Sequence, residues 1–489
     1  MKADTTNGIS FRKYLKSKEQ RTDWLILLLS CIIGFVVIKI CYPYPATIED
    51  SATYVSAAAE DTFIFYRPFG YSFFLQIVHA FSSSIHAIFV TQMLVYFISA
   101  SVFAFTIKYF FRPANKWVWY GMLLFFVFSP CAFYMANTML SDLLFAAMVY
   151  MLLAAFIFVL KKQSWGALIF FSILLLFTLH IRYSAMIFPI LFIAFFVTIK
   201  GKMRWFSIAA TIVVTCFFYQ QIRNSMKETT GLDQFSTGFD GWQMANNGMH
   251  VIPYTDIKPE DIKDRRMQEL HYVMLMHKDV ISEKTSNGPT FAFMWTNELP
   301  LKQYMFYYMQ QTQTPYATSW VKLGSGLYKD YGTYLIRKHP LLFMQHYYLP
   351  NSRHIFYPDR RGPIGSYTPI RAENICKWYN LPVETNKSAK HPIYQQFVAE
   401  TITVSHLIIW IVIACVSVAA IVFRKRMKWE SGEKKTFWAL TIFGLLYYAS
   451  TVFASPIDLR FWLPMGAIQF AFLYILLNKI IPIYKTKDS

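Results

Sequence analysis

The sequence predicts an all-α polytopic membrane protein with about ten transmembrane helices and one large, mainly helical loop domain. Three observations carry that prediction. Hydrophobic residues make up 55% of the 489 residues and charged residues only 15%, against about 25% charged in a water-soluble domain. Apolar runs of roughly membrane-spanning length recur ten times along the chain. The basic residues between those runs fall on alternate sides. Mean hydropathy is +0.32, so a disordered, collagen-like or disulfide-scaffold protein is excluded. The six cysteines are scattered without metal-ligand spacing, which implies neither a disulfide framework nor a zinc site.

The runs lie near Trp24–Cys41, Ile85–Ile107, Trp117–Tyr134, Leu143–Leu160, Trp165–His180, Ala185–Ile199, Trp205–Tyr219, Thr403–Phe423, Phe437–Ala454 and Phe461–Leu477. The fifth, sixth and seventh are short, and the fifth and sixth can share a tight hairpin. The first is too long, and lacks the small-residue cleavage site, for a removable signal peptide. With the N-terminus inside, the inner segments collect Arg12, Lys13, Lys16, Lys18 and Arg21, then Lys108, Arg112 and Lys116, Lys161 and Lys162, Lys200, Lys202 and Arg204, Arg424 to Lys435, and the C-terminal lysines. The short outer segments hold only Lys39, Arg67, Arg182 and Arg460. This asymmetry puts both termini in the cytoplasm. It also accounts for the net charge of +19 as an orientation signal and a match to anionic lipid, not as a nucleic-acid footprint. Residues 1–222 form an N-terminal transmembrane module, 223–401 an extracytoplasmic cap, and 402–489 the C-terminal transmembrane helices.

Few charges remain near the membrane once the inner loops are accounted for. They are Glu49, Asp50, Glu60, Asp61, Arg67, Asp142, Arg182, Asp458 and Arg460, with Lys39 inside the first span. A charge at the hydrocarbon boundary costs a few kcal/mol, depending on depth. Singly, each can simply end a helix in the headgroup layer. As a set on one face they mark a polar site.

The first outer segment is the richest. Pro43 and Pro45 stop the first helix, and the adjacent acids Glu49 and Asp50 follow. Tyr54 and the small residues Ser56 to Ala59 then read as helix, with Asp50 and Tyr54 sharing a face at i and i+4. Next comes the aromatic and basic stretch Tyr66-Arg67-Pro68-Phe69-Gly70-Tyr71, suited to the interface. In the second outer turn, Ser141 or Asp142 stands where it can cap the fourth span. His180-Ile181-Arg182-Tyr183 and Asp458-Leu459-Arg460-Phe461-Trp462-Leu463-Pro464 complete the set.

These motifs, in this order and on one side, resemble the GT-C superfamily of integral membrane glycosyltransferases. The similarity is to the bacterial group that includes protein mannosyltransferases and the aminoarabinose transferases of lipid A. The matching positions are Asp50 with Glu49, Tyr54, Ala57 and Ala58; Arg67, Pro68, Gly70 and Tyr71; Asp142; Arg182; and Arg460, Phe461 and Pro464. The order Glu-Asp departs from the commoner Asp-Glu or lone Asp, which leaves open which carboxylate is the base. The resemblance covers both ends of the membrane part and little of the large loop. It implies a GT-C-like fold in a bacterial cytoplasmic membrane and an active site on the extracytoplasmic face. It also implies a sugar donor on a polyprenyl phosphate and an extracytoplasmic glycolipid, glycan or protein acceptor. Asp50 is then the general base, with Glu49 or Asp142 as the alternatives. Arg67, Arg182 and Arg460 hold the donor phosphate, and Tyr54 and Tyr71 position substrate. No cofactor is required; a Mg²⁺ or Mn²⁺ ion bridging the carboxylates to phosphate is compatible with the residues.

The large loop carries a near-balanced mix of acidic and basic residues. Ile262 to Ile281 has helical apolar spacing, and Tyr334 to Tyr348 can lie along the membrane surface. Arg353, His354, Asp359 and Arg360 keep open a second reading, an oligosaccharide ligase or polymerase with a lipid-linked donor, while the pair Arg360 and Arg361 reads first as a solvated pair and second as a phosphate contact. A secondary transporter is a third reading. It would carry ionisable residues mid-span and internal repeats, where these spans are nearly charge-free at their centres. No P-loop, G-x-S-x-G, H-E-x-x-H or dinucleotide fingerprint occurs.

Overall fold

The computed structural model describes residues 9–356, 372–382, 392–430 and 432–485; Asp359, Arg360 and Arg361 lie outside them. Among the described residues the chain is helical throughout, and the one extended pairing is a single bridge between Ala46 and Thr138. Eight helices are long and apolar enough to cross a membrane, and two shorter apolar helices accompany them. All ten predicted runs fall on these elements, and the protein is an all-α polytopic membrane protein.

In chain order the N-terminal part comprises α1 Arg21–Cys41, α2 Glu49–Glu60, α3 Gly70–Phe81, α4 Ile85–Phe110, α5 Lys116–Val127, α6 Pro130–Ala136, α7 Ser141–Lys162, α8 Trp165–Ile181, α9 Phe188–Phe196 and α10 Lys202–Thr230. The third predicted span is two helices. Ser129 caps α6 by accepting from the Ala132 N–H, and Pro130 starts it. A 3₁₀ turn, Tyr183–Ile187, precedes α9. The seventh predicted run is longer than its apolar stretch, because α10 continues through the polar residues after Tyr219 and stops at Gly231, with φ +73°.

The helix α7 is the axis of the bundle: it is apolar on every side and buried along nearly its whole length. The outer helices instead leave apolar residues bare, as a lipid-facing wall requires; Leu25, Leu28 and Ile40 on α1 are examples. On the end of the bundle away from the large loop, Lys108 is buried. It pairs with the Asp23 carboxylate and donates to Gln20 Oε1 at 2.8 Å, while Trp119 Nε1 donates to Asp23 Oδ1 at 2.9 Å. The lysine read as an orientation charge is thus also an internal partner.

The large loop folds as a helical cap. It contains α11 Phe239–Gly248, α12 Arg265–Met276, α13 Lys278–Thr285, α14 Pro300–Thr312, α15 Tyr316–Leu323, α16 Lys329–Lys338 and α17 Glu373–Trp378. The predicted helix from Ile262 to Ile281 is therefore two. His277 leaves helical geometry between them, and its ring bonds the Val273 carbonyl. Three membrane helices follow: α18 Pro392–Phe423, α19 Glu433–Ala454 and α20 Met465–Lys485.

The cap is fixed to the membrane part through asparagines. The last carbonyls of α19 have no partners within their own helix. Asn247 Nδ2 donates to Phe453 O (2.7 Å) and Ala454 O (3.0 Å). Asn351 Nδ2 donates to Val452 O and Ser455 O (2.8 Å each), and its Oδ1 accepts from Ile457 N at 2.8 Å. Asn374 Nδ2 reaches Ala52 O (2.7 Å) and Ser56 Oγ (2.8 Å) on α2. Replacing Asn351 by alanine strands three buried backbone groups, each worth about 1–3 kcal/mol when left unpaired. Asn351→Ala is therefore expected to lower the unfolding temperature of the detergent-purified protein, which differential scanning calorimetry measures. A surface change such as Asn224→Ala is expected to leave it unmoved.

Candidate active site

The site begins with a segment that the bundle pins down. Beyond α1 the chain bends at Pro43 and Tyr44, and its backbone groups find partners in the turn between α6 and α7. Ala46 N donates to Asn137 O (2.7 Å), and Met139 N donates to Ala46 O (2.9 Å). Asn137 Nδ2 donates to Tyr44 O at 2.9 Å. Lys39 Nζ donates to Pro43 O (3.1 Å) and Asn137 Oδ1 (3.0 Å). Ser51 Oγ accepts from Ile48 N (3.0 Å) and donates to Met139 O (2.8 Å), tying the first turn of α2 to the turn before α7. From α4, Gln92 Nε2 donates to Ala136 O and Thr138 O and takes the Tyr71 hydroxyl on its Oε1. Ser141 does not cap α7. Leu140 is the cap residue, and the Ser141 hydroxyl bonds the Tyr54 hydroxyl at 3.0 Å.

This stitching sets the starts of α2 and α7 side by side, and with them Asp50 and Asp142. Arg67 Nη2 donates to Asp50 Oδ1 at 2.5 Å, and Arg182 pairs with Asp142. Arg460 Nη1 lies 3.8 Å from both Asp50 Oδ2 and Asp142 Oδ2, while its Nε is 3.0 Å from Asp458 Oδ2. Rings hold the guanidiniums in place: Arg67 over Tyr54 and Tyr66, Arg182 and Arg460 over Phe461. Gly70 lets α3 begin directly against the end of α8. A Cβ there would sit 2.4 Å from the His180 carbonyl oxygen, so the Arg67 loop and Arg182 approach only across a glycine.

The charges answer one another. Burial by itself would raise the Asp50 carboxyl, but Arg67, Arg460 and Arg182 together hold it below its ordinary value. For Arg67, burial is outweighed by Tyr54, Asp50 and Tyr66, and the guanidinium is held more firmly charged than usual. Asp458 goes the other way. Its burial pushes the carboxyl up, and Arg460 only partly offsets this.

Over these residues lies a cavity of about 650 Å³ whose wall includes Asp50, Tyr54, Arg67, Asp142, Arg182 and Arg460. Six of the eight predicted site residues therefore share one chamber, roofed by cap residues such as Phe239 and Trp295. The other two stand apart. Glu49 is exposed and outside the wall. Tyr71 is fully buried, with its hydroxyl on Gln92 and its ring edge-on to Tyr54 at 4.8 Å, so it supports a wall residue from behind. Sequence reasoning missed the structural use of Lys39, Asn137, Gln92 and Ser141, and gave Asp458 no role. It also missed every cap residue on the cavity, because loop aromatics carry no periodic signal. Among the described residues no three His, Cys, Asp or Glu side chains gather as a metal-ligand set.

No family model and no curated protein sequence matches the chain. Solved structures that match it include the archaeal oligosaccharyltransferase AglB from Archaeoglobus fulgidus in complex with an inhibitory peptide and a dolichol-phosphate, and the Archaeoglobus fulgidus oligosaccharyltransferase in the apo form. Identity is 9% in both, with TM-scores of 0.45 and 0.46, and each alignment covers 96% of this chain and 52% of that one. The chain thus spans about half the length of those structures.

The two carboxylates predict opposite pH signatures. A carboxyl held low contributes stability above its ordinary value, about 4, which is lost as pH falls through the folded value. A carboxyl pushed up contributes stability below about 4 that is lost as pH rises through its raised folded value. In unfolding temperature against pH, the difference between Asp458→Asn and wild type should therefore shift in favour of the variant as pH rises above about 4. The deficit of Asp50→Asn should instead shrink only on acidification below that value. Parallel curves for the two variants would contradict this assignment.

Proposed function

We propose that the chain is a GT-C-type membrane glycosyltransferase. It moves a sugar from a polyprenyl-phosphate donor to an extracytoplasmic acceptor, inverting the anomeric centre. The observation that supports this reading is the convergence of Asp50, Asp142, Arg67, Arg182 and Arg460 on one cavity at the cap end of an apolar bundle. Such a chamber suits a charged headgroup whose lipid stays in the bilayer.

The acceptor O–H or N–H attacks the anomeric carbon, and its proton passes to a carboxylate acting as general base. Asp50 is that base: it faces the cavity and is partly exposed, whereas Glu49 lies outside it and Asp142 is almost wholly buried. The bond from the anomeric carbon to the phosphate oxygen breaks, and the electron pair leaves with the phosphate. Arg67, Arg182 and Arg460 stabilise that growing charge through planar, permanently charged donors. Before the donor binds, the aspartates hold these arginines. A phosphate competes for them, and freeing Asp50 from Arg67 is what makes its carboxylate available for the proton. A divalent cation is not needed in this scheme, though Mg²⁺ or Mn²⁺ could take the carboxylate oxygens that the arginines hold in its absence. The sequence asymmetry of basic residues supports the cap lying outside, with both termini inside; the bacterial cytoplasmic membrane is what the GT-C resemblance implies. An oligosaccharide ligase would use the same floor with a longer donor glycan.

The test is transfer by the purified protein from polyprenyl-phosphate sugars to an envelope extract. Asp50→Asn should lose at least about 10²-fold in rate while donor binding persists. Glu49→Gln should stay within a few-fold of wild type. Normal transfer by Asp50→Asn rejects the base, and proton-coupled solute uptake by wild-type vesicles would replace the transferase reading with a transporter.

A further inference from the structure

The roof of the cavity has a design that the phosphate chemistry of the floor does not use. Phe239 opens α11, and Trp295 ends the short helix Phe291–Trp295. Their rings lie nearly parallel at 14°, with centroids 6.0 Å apart, and both face the cavity. Trp320 stacks parallel to both, 3° from Trp295 and 16° from Phe239, with centroids 6.1 and 6.4 Å away. It is buried, as is Trp242, which stacks against it at 4.5 Å. The backing is rigid because α11 meets the chain before α16 backbone to backbone. A Cβ on Gly241 would fall 1.7 Å from the Gly324 carbonyl oxygen. The result is an aromatic wall of parallel, offset rings whose orientation is locked from behind.

The rim of that wall is polar. Asp240 accepts from Ser236 Oγ at 2.8 Å and from Lys329 Nζ at 3.1 Å, and Ser236, Asp240, Gln243 and Lys329 all line the cavity. Acid, amide, hydroxyl and ammonium thus line the same cavity as the aromatic rings. At the other edge Tyr66 lies 6.5 Å from Trp320 and carries Arg67 above its ring at 5.1 Å, which joins the wall to the phosphate floor.

We propose that this wall is a carbohydrate subsite in which one face of a pyranose ring stacks on Trp295, with Phe239 beside it, while its hydroxyls bond Asp240, Gln243 and Lys329. A pyranose is the ligand class that pairs an apolar C–H face with a dense ring of hydroxyls. Its polarised C–H groups suit the electron-rich ring faces. A lipid tail would strip water from the Asp240–Lys329 ion pair and give it nothing in return, and a second phosphate would meet the Asp240 carboxylate. The role in transfer rests on the glycosyltransferase reading above; the binding itself does not. The sugar belongs either to the donor or to the acceptor, and kinetics separates the two.

The experiment is saturation-transfer NMR on the full chain in lipid nanodiscs, probed with methyl α-D-glucopyranoside, methyl α-D-mannopyranoside and methyl N-acetyl-β-D-glucosaminide. At least one glycoside should receive saturation at its ring C–H protons. The signal should fall at least fivefold in Trp295→Ala and return substantially in Trp295→Phe. Lys329→Met, at an exposed rim position, should at least halve it, and this variant keeps the test open if the tryptophan variant does not fold. No transfer to any of the three glycosides, or equal transfer in wild type and Lys329→Met, overturns the subsite. In the transfer assay a higher KM for the donor assigns the ring to the donor, and a higher KM for the acceptor assigns it to the acceptor. If Asp50→Asn transfers normally while Trp295→Ala still loses the NMR signal, the catalytic reading fails and the subsite stands.

Discussion

The pairing of the segment after α1 with the turn before α7 is the constraint on which the site depends. Two irregular stretches of backbone meet at the membrane boundary, where unpaired N–H and C=O groups cost several kcal/mol each in hydrocarbon. They satisfy one another through the Ala46–Thr138 bridge, and side chains from Lys39, Gln92, Ser51 and Asn137 take up the remainder. Each such bond contributes only about 0.5–1.5 kcal/mol net. Their collective effect is positional: they bring Asp50 and Asp142 within 3.8 Å of one guanidinium.

Charge then completes what geometry begins. Three aspartates and three arginines share the floor, each carboxylate held by at least one guanidinium. Buried ion pairs are poor stabilisers compared with apolar packing of the same volume, because desolvation consumes most of the Coulombic gain. A bundle whose other walls are nearly all apolar has no folding reason to assemble six charges in one place. On the function proposed above, the arrangement is a binding surface that neutralises itself until an anionic headgroup arrives. The cap serves the same chamber from above, anchored by Asn247 and Asn351 to the carbonyls that end α19.

The spans and the floor were legible in the sequence for a common reason. In a chain of such low charge, a carboxylate or guanidinium at the end of an apolar run stands out, so Asp50, Arg67, Asp142, Arg182 and Arg460 could be named before any contact was known. Tyr54 followed from its helical offset to Asp50. Glu49 shares the charge but not the face, because adjacent helical residues point about 100° apart, and only one of the pair meets the cavity. Tyr71 looked like a substrate contact because it sits beside Arg67 in the chain, yet helix α3 turns it inward to Gln92. The breaks at Ser129 and Tyr183 were hidden inside continuous apolar runs, where hydropathy is blind to backbone geometry. The aromatic roof was invisible for a deeper reason: Phe239, Trp295 and Trp320 come into one parallel stack only through tertiary packing.

The account is tested most directly by the affinity of farnesyl phosphate for the protein in nanodiscs, measured by titration calorimetry. Wild type should bind with a phosphate-dependent affinity that farnesol does not share, and Arg67→Gln, Arg182→Gln and Arg460→Gln should each weaken it about tenfold or more, one charge-assisted hydrogen bond apiece. Equal binding of farnesyl phosphate and farnesol, or unchanged affinity in all three variants, would contradict the claim that these arginines converge on a lipid-linked phosphate.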